Sequence, residues 1–219
     1  MVQKDTPNER AEAKRPRGRP RAYDTDEALA RARDTFWQSG YSATTLDELS
    51  AATGMNRPSL YGAFGDKRAL YLATLERYVD ANRAAMDEAL GRSLPLGEAL
   101  QHVYDLALGL YFAAGSAPKG CFLIGTAAVE AINDDAVRSI LAKGLQAFDR
   151  SFERRFSRAQ RDGELDPNAD PALLAKLASA ILHTLAVRSR AGDTRATLRA
   201  TAQAGVAMLC AAGTAASRR

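Results

Sequence analysis

From Asp24 onward, nearly every break in the apolar pattern of this chain carries the chemistry of a helix end. Thr45, Asn56 and Asp66 stand ahead of apolar runs, where a side-chain oxygen accepts from the unpaired N–H groups of a first helical turn. Gly40, Gly54, Gly65, Gly163, Gly192 and Gly213 stand behind such runs, and Pro95 and Pro171 sit where a helix start tolerates proline. Within the runs, apolar residues recur at spacings of three and four, as Leu29, Ala32 and Phe36 do. No stretch alternates with a period of two for long enough to make a strand, and no internal repeat is visible. About a fifth of the residues are Ala, the best helix former, and aromatics are only 7%. The fold class that follows is all-α.

The punctuation predicts about nine helices. The first spans about residues 25–38, with Trp37 beside its apolar face, and ends at Gly40. The second follows Thr44 and Thr45, reads Thr45-x-x-Glu48 as a capping box, and closes at Gly54. The third runs from Asn56 to Gly65 with Pro58 in its first turn, and the fourth from Asp66 to about Leu90. Five more are expected over roughly 95–114, 121–131, 135–162, 171–190 and 194–212.

Composition narrows the function classes. Two cysteines, Cys121 and Cys210, are too few for a disulfide scaffold, and with two histidines they make a zinc-finger site untenable. No apolar run approaches the roughly 20 residues of a membrane span, and the N-terminus lacks the apolar core of a secretory signal. The expected compartment is cytoplasmic, with no membrane partner. No nucleophile–base motif, phosphate-binding glycine loop or metal-ligand set occurs, and His102 and His183 stand alone on apolar helices. An enzyme is therefore not expected, nor is any cofactor.

Charge is segregated. Residues 1–21 hold seven Lys/Arg and three Asp/Glu, whereas the remainder carries 23 of each sign. All of the formal +4 thus lies in one short polar arm, where Arg15, Arg17, Arg19 and Arg21 alternate with Pro16, Gly18 and Pro20. Proline and glycine oppose helix there, so the arm stays extended until it meets a polyanion. The run is similar to arms that insert arginine into the narrow, negative minor groove of DNA. A merely solubilising tail is the alternative reading of the arm by itself.

The second and third helices, each about eight residues long and joined by a tight turn at Gly54, have helix-turn-helix spacing. The run TTLDELSAATGMNRPSLYGAFGDKRALY, residues 44–71, resembles the tetracycline-repressor (TetR) family, and the likeness extends over about residues 22–72. Beyond that the resemblance rests only on length and helix pattern. It implies a basic arm (1–21), a three-helix DNA-binding head (22–72) and a helical effector-binding and dimerising body (73–219).

By that likeness Thr44 and Thr45 cap the second helix and touch phosphate, Tyr61 reaches the DNA backbone, and Lys67 contacts phosphate. Leu46, Leu49, Ala52 and Gly54 match its packing positions, as Leu60 and Phe64 do those of the LY-x-x-F signature. Two departures stand out: Pro58 replaces a usual Gly or small residue, and Gly62-Ala63 replaces an aromatic–His pair. Arg57, at the start of the recognition helix, becomes the best candidate to read a guanine edge bidentately, with Asn56 and Ser59 beside it. The DNA-binding set expected is Arg17, Arg19, Arg21, Thr44, Thr45, Asn56, Arg57, Ser59, Tyr61 and Lys67.

The resemblance further implies a homodimer on a palindromic double-stranded operator, released by a small effector. Dimer contacts are expected from the last two helices, through Leu174, Leu177, Ala178, Ile181 and Leu185 on one and Leu198, Ala202, Gly205 and Leu209 on the other. Tyr104, Leu108, Tyr111, Phe112, Phe122, Phe148, Phe152 and Phe156 are the candidate pocket lining, suited to a hydrophobic or aromatic molecule, although an aromatic stripe can equally be core. Cys121 follows Lys119-Gly120 at a predicted helix start, where dipole and lysine would lower a thiol pKa. A redox sensor and a small buried apolar residue are the two readings of it. The rival to a specific regulator is an architectural DNA-binding protein with no ligand, which would bind broadly and with steep salt dependence.

Overall fold

The computed structural model describes residues 24–113 and 117–212, so Arg17, Arg19 and Arg21 of the arm lie outside the described residues. These residues contain helices and no strand. The helices are α1 (Thr25–Ser39), α2 (Leu46–Thr53), α3 (Arg57–Phe64), α4 (Lys67–Gly91), α5 (Leu96–Tyr111), α6 (Ala128–Glu130), α7 (Asp135–Arg161), α8 (Pro171–Ala191) and α9 (Arg195–Ala212). The expected helix over 121–131 departs from the α pattern. Leu123–Ala127 forms one π-helical turn that leads into α6, a local widening often found at functional positions.

Capping sets the head. Asp24 accepts from the N–H groups of Asp26 and Glu27, and Asn56 from that of Ser59. Asp66 does the same for Ala69 at the start of α4. Thr45 and Glu48 exchange side-chain-to-backbone bonds of 3.2 and 2.7 Å, completing the capping box. Gly54 takes the left-handed conformation (φ 68°) that lets α2 turn sharply into Met55 and α3. Packing in the head centres on Phe36, Leu49, Leu60 and Leu70, all 2% exposed or less.

α4 continues unbroken from the head into the body, where it packs on α5 and α7. The joint between the two is aromatic. Phe36 of α1 meets Tyr71 of α4 edge-on at 5.1 Å between ring centroids, and Trp37 meets Tyr78 at 5.4 Å. Phe122 closes the cluster against Tyr71, Tyr78 and Trp37. Three polar ties cross the same seam: Trp37 Nε1 to the Lys119 carbonyl (3.0 Å), Tyr71 OH to Thr126 Oγ1 (2.8 Å) and Arg68 to Asp134 (2.6 Å). Burial pushes the Tyr71 phenol up to about 12, so it remains a donor at neutral pH.

α7, α8 and α9 complete the body. α8 corrects the expectation that no segment is apolar and long enough to span a membrane: among the described residues it qualifies by length and composition. Its apolar surplus has a different structural origin. One side of α8 packs on α7 and α9, and a second side leaves Leu173, Leu177 and Val187 about half exposed. The residues of the expected dimer seam divide at the same place. Leu174, Ala178, Leu185, Leu198, Ala202 and Leu209 are buried within the monomer, and a Cβ on Gly205 would come within 2.6 Å of Ile181. Leu177, in contrast, is about half exposed and lines with Ile181 a groove on the outer face of α8 and α9, so the expected seam is divided between the monomer core and that face.

Candidate nucleic-acid interface and effector cavity

α3 turns Leu60 into the head and leaves Arg57, Pro58, Tyr61 and Gly62 exposed. Arg57 does not stand free. Its Nη2 and Nε donate to Asp47 of α2 at 2.6 and 3.1 Å, an ion pair that ties the two helices across the turn. The pairing raises the Arg57 pKa further, through that hydrogen bond first and the carboxylate charge second. Asp47, which the sequence reading passed over, therefore fixes the direction of the recognition-helix arginine. A carboxylate ten positions before an arginine gives no local signal, because only the turn at Gly54 brings them together.

Tyr61 is 47% exposed on the same surface, and Lys67 places its ammonium 4.6 Å from the Tyr41 ring centroid. Asn56 and Thr45 are exposed and engaged as helix caps, and Ser59 is half-buried with its N–H held by Asn56. Thr44 needs correction. It is 1% exposed and its hydroxyl donates to the Gly40 carbonyl at 2.6 Å, so it staples the α1–α2 loop from inside. A buried hydroxyl with a satisfied bond has no free reach to a phosphate, and Thr45 alone caps α2.

In the body, a cavity of about 250 Å³ lies between α4, α5, α7 and α8. Tyr111 and Phe148 line it, and the other six expected lining residues do not. Tyr104, Leu108, Phe122, Phe152 and Phe156 have no exposed surface, and Phe112 is half-buried at the end of α5. The reasons are specific: Tyr104 donates to the Ala178 carbonyl at 3.0 Å beside the Phe152 ring, and Phe122 fills the aromatic joint. The sequence reading missed Tyr78, Asn82, Leu106 and His183 as lining residues. Helical phase relative to Met86, on the buried face of α4, is the signal that could have placed Tyr78 and Asn82.

Cys121 lines the cavity, and its burial agrees with the second of its two readings, a small buried residue. Burial pushes its thiol up, against smaller opposite effects from the Tyr78 hydroxyl at 3.4 Å and the N–H groups of Ile124 and Leu123. Lys119 is turned away, its ammonium 5.9 Å from the Trp37 ring centroid. Among the described residues no cluster of side chains could hold a metal ion.

The cavity and the head are one ring apart, since Tyr78 lines the first and packs on Trp37 of α1. Comparisons with known proteins give this layout its place. The family model for bacterial regulatory proteins of the tetR family matches residues 28–74, and that for the tetracyclin repressor-like C-terminal domain matches residues 98–204. The chain is 31% identical over 179 residues to the HTH-type transcriptional repressor ComR of Escherichia coli (strain K12), covering 82% of this chain and 85% of that protein. It is also 31% identical over 167 residues to the transcriptional regulator AcuR of Cereibacter sphaeroides, covering 74% of each. A cysteine mutant of the TetR family regulator CifR, complexed with 26bp double-strand operator DNA, matches with a TM-score of 0.79. That likeness is at 29% identity and covers 87% of this chain and 98% of that one. The chain belongs to the TetR family, as a DNA-binding transcriptional regulator rather than an enzyme.

Proposed function

We propose that the protein is a homodimeric repressor that holds a palindromic operator and is released when a small hydrophobic or aromatic effector enters the cavity between α4, α5, α7 and α8. The observation that carries this reading is the contact of Tyr78 with Trp37, which lets a change in the cavity wall act directly on α1 of the head. Release works by differential affinity: the effector favours a body state in which the paired heads no longer fit the half-site spacing. In this reading Arg57 reads a base edge, and Tyr61, Lys67 and the cap of α2 meet the backbone. The arginines at 17, 19 and 21 add salt-dependent contacts.

Dimerisation is assigned to the exposed face of α8 and α9. There Leu173, Leu177, Val187 and Met208 stand 48–73% exposed beside a groove lined with Ala180, Thr184, Thr201 and Ala204. A contiguous apolar face of this kind is unusual on a monomer. Thiol sensing at Cys121 is disfavoured by the raised thiol.

Fluorescence anisotropy on DNA from upstream of the gene, with scrambled competitor at about 150 mM salt, tests the core of the reading. Binding that survives competitor and weakens about tenfold in Arg57→Ala is expected. Binding abolished by competitor, with no dependence on Arg57, would leave only non-specific association.

A further inference from the structure

The cavity carries a chemical statement about its occupant that goes deeper than its size, and it rests on the reading of this cavity as the effector site. Among the described residues no Asp, Glu, Lys or Arg lines it. Its walls are the aliphatic and aromatic surfaces of α4, α5, α7 and α8, with polar side-chain atoms only on Tyr78, Asn82, Tyr111, Cys121 and His183. Of these, the Tyr78 hydroxyl is occupied, donating toward Cys121 Sγ and accepting from the Phe122 N–H, both at 3.4 Å. The amide of Asn82 spends its Nδ2 on the Tyr78 carbonyl at 2.8 Å, which turns a different atom, Oδ1, to any other partner. His183 Nε2 is a buried atom with no hydrogen-bond partner among the described residues. A polar nitrogen in that condition carries an unmet desolvation penalty that a ligand can relieve.

We infer that the cavity selects an uncharged molecule of about one ring bearing a single hydrogen-bonding group, and that His183, with Asn82, is the specificity determinant that receives that group. The size follows from the volume: an engineered apolar cavity of about 150 Å³ takes benzene, and about 250 Å³ admits a ring with one substituent. Neutrality follows from the lining. A carboxylate or ammonium entering here would shed its water against Ala, Leu, Val and Phe surfaces with no counter-ion to meet it. The groups that could acquire charge reinforce this. Burial keeps the His183 imidazole below its usual range, with Asp149 pulling weakly the other way, and keeps the Cys121 thiol protonated. Leu106, 47% exposed, marks where the cavity meets solvent, so the apolar end enters past an apolar lip.

Four probes of one shape test this on the full chain: toluene, benzyl alcohol, benzoate and benzylamine, titrated at pH 7.4 by ligand-observed NMR. Emission of Trp37, the sole tryptophan, serves as a second readout beside the cavity. Benzyl alcohol is expected to bind about threefold tighter than toluene, and about tenfold tighter than either ion. His183→Phe should bring the alcohol and toluene within about twofold of each other. Ala107→Phe, which adds a ring to the cavity wall, should weaken every probe that binds; thermal melts verify that both variants are folded.

Benzoate or benzylamine matching the alcohol overturns neutrality, and toluene matching it overturns the hydrogen-bonding role. In both cases sensitivity to Ala107→Phe would leave the cavity itself as the binding site. Indifference of every probe to Ala107→Phe, or no binding at millimolar concentration, removes the effector-site reading and this inference with it.

Discussion

The head and the body solve different physical problems with the same kind of element. In the head, α1 to α3 are short, between 8 and 15 residues, and isolated helices of that length are marginal in water. Each is therefore closed at its start by a side-chain cap and at its end by a glycine, and the core residues Phe36, Leu49 and Leu60 are 2% exposed or less. In the body the helices run to 27 residues and are capped as well, α7 by Asp134, α8 by Asp170 and α9 by Thr194, while α5 starts at Pro95 and its first N–H is met by the remote carboxylate of Glu164. What distinguishes the body is incomplete filling: the aromatic packing of Phe122, Phe152 and Phe156 stops at a cavity wall formed by Tyr78, Tyr111 and Phe148. A DNA reader gains from one rigid shape, whereas a sensor needs space whose occupation changes the balance between two shapes.

Removing packing from the head should give the largest effect and the sharpest contrast. Phe36 has no exposed surface and touches the rings of both Tyr41 and Tyr71. Phe36→Ala is expected to cost about 3–5 kcal/mol in a urea melt and to abolish operator binding. A matched truncation at the cavity wall, Phe148→Ala, should cost markedly less, because that ring already borders space. Equal losses at the two sites would erase the distinction between a filled head and an unfilled body.

Next in size is Gly120, at the hinge of the comparison. Its φ of +64° is left-handed, and a Cβ there would lie 2.5 Å from the Ala186 carbonyl oxygen of α8, a backbone atom that cannot swing aside. Gly120→Ala should destabilise by about 2–3 kcal/mol through combined strain and overlap. It should also perturb Trp37 emission, since the neighbouring Lys119 carbonyl accepts the indole N–H. Unchanged stability would mean that the segment before the π-helical turn is loosely docked.

A smaller effect separates the two threonines that the sequence placed side by side. Thr45→Ala removes the cap of α2 and should cost about 1 kcal/mol. Thr44→Val keeps the volume and removes an internal hydrogen bond, so it should cost a similar amount while leaving the salt dependence of DNA binding unchanged. A reduced salt slope in Thr44→Val would return Thr44 to the phosphate surface.

That pair also shows what was legible beforehand. Caps and stops act over three or four residues, so Thr45 with Glu48, Asn56, Asp66 and Gly54 could be read directly, and the helix order with them. Facing is harder. Thr44 and Thr45 differ by one position and end on opposite sides of the surface, and of the Leu174–Leu185 stripe Leu174, Ala178 and Leu185 are buried while Leu177 is about half exposed. A stripe states that a face is apolar without stating what covers it. The cavity is least legible of all, because it depends on where several helices fail to meet. Tyr104 and Tyr111 are alike in sequence terms, yet one donates to Ala178 in solid core and the other borders space. Cys121 kept two readings for the same reason: a helix start and a nearby lysine lower a thiol pKa only when solvent and charge reach the sulfur, and here the sulfur is buried while the lysine ammonium lies over Trp37.

The smallest expected effect on stability sits at the polar seam between head and body, and it bears on whether the two are coupled. Arg68, at the start of α4, donates through Nε and Nη2 to both oxygens of Asp134, the residue that caps α7. The guanidinium, aided by the N–H groups of Val137 and Ala136, holds the Asp134 carboxyl down to about 2 from an ordinary 3.8. Because the folded state prefers the ionised form, the contribution is complete above about pH 4 and disappears as pH falls toward 2. Arg68 is half exposed, so solvent screens the pair and its neutral-pH worth is small. Arg68→Gln should lower Tm only slightly at pH 7, and the melting curves of variant and parent should converge between pH 4 and about 2.5. The larger consequence belongs to signalling: with one tie across the seam cut, effector should release less DNA at saturation while both ligand and operator affinities change little. Full release in Arg68→Gln would place the coupling in the aromatic joint of Trp37, Tyr78 and Phe122 and the two hydrogen bonds beside it, from Trp37 to Lys119 and from Tyr71 to Thr126, and would leave the ion pair a local support for the α7 cap.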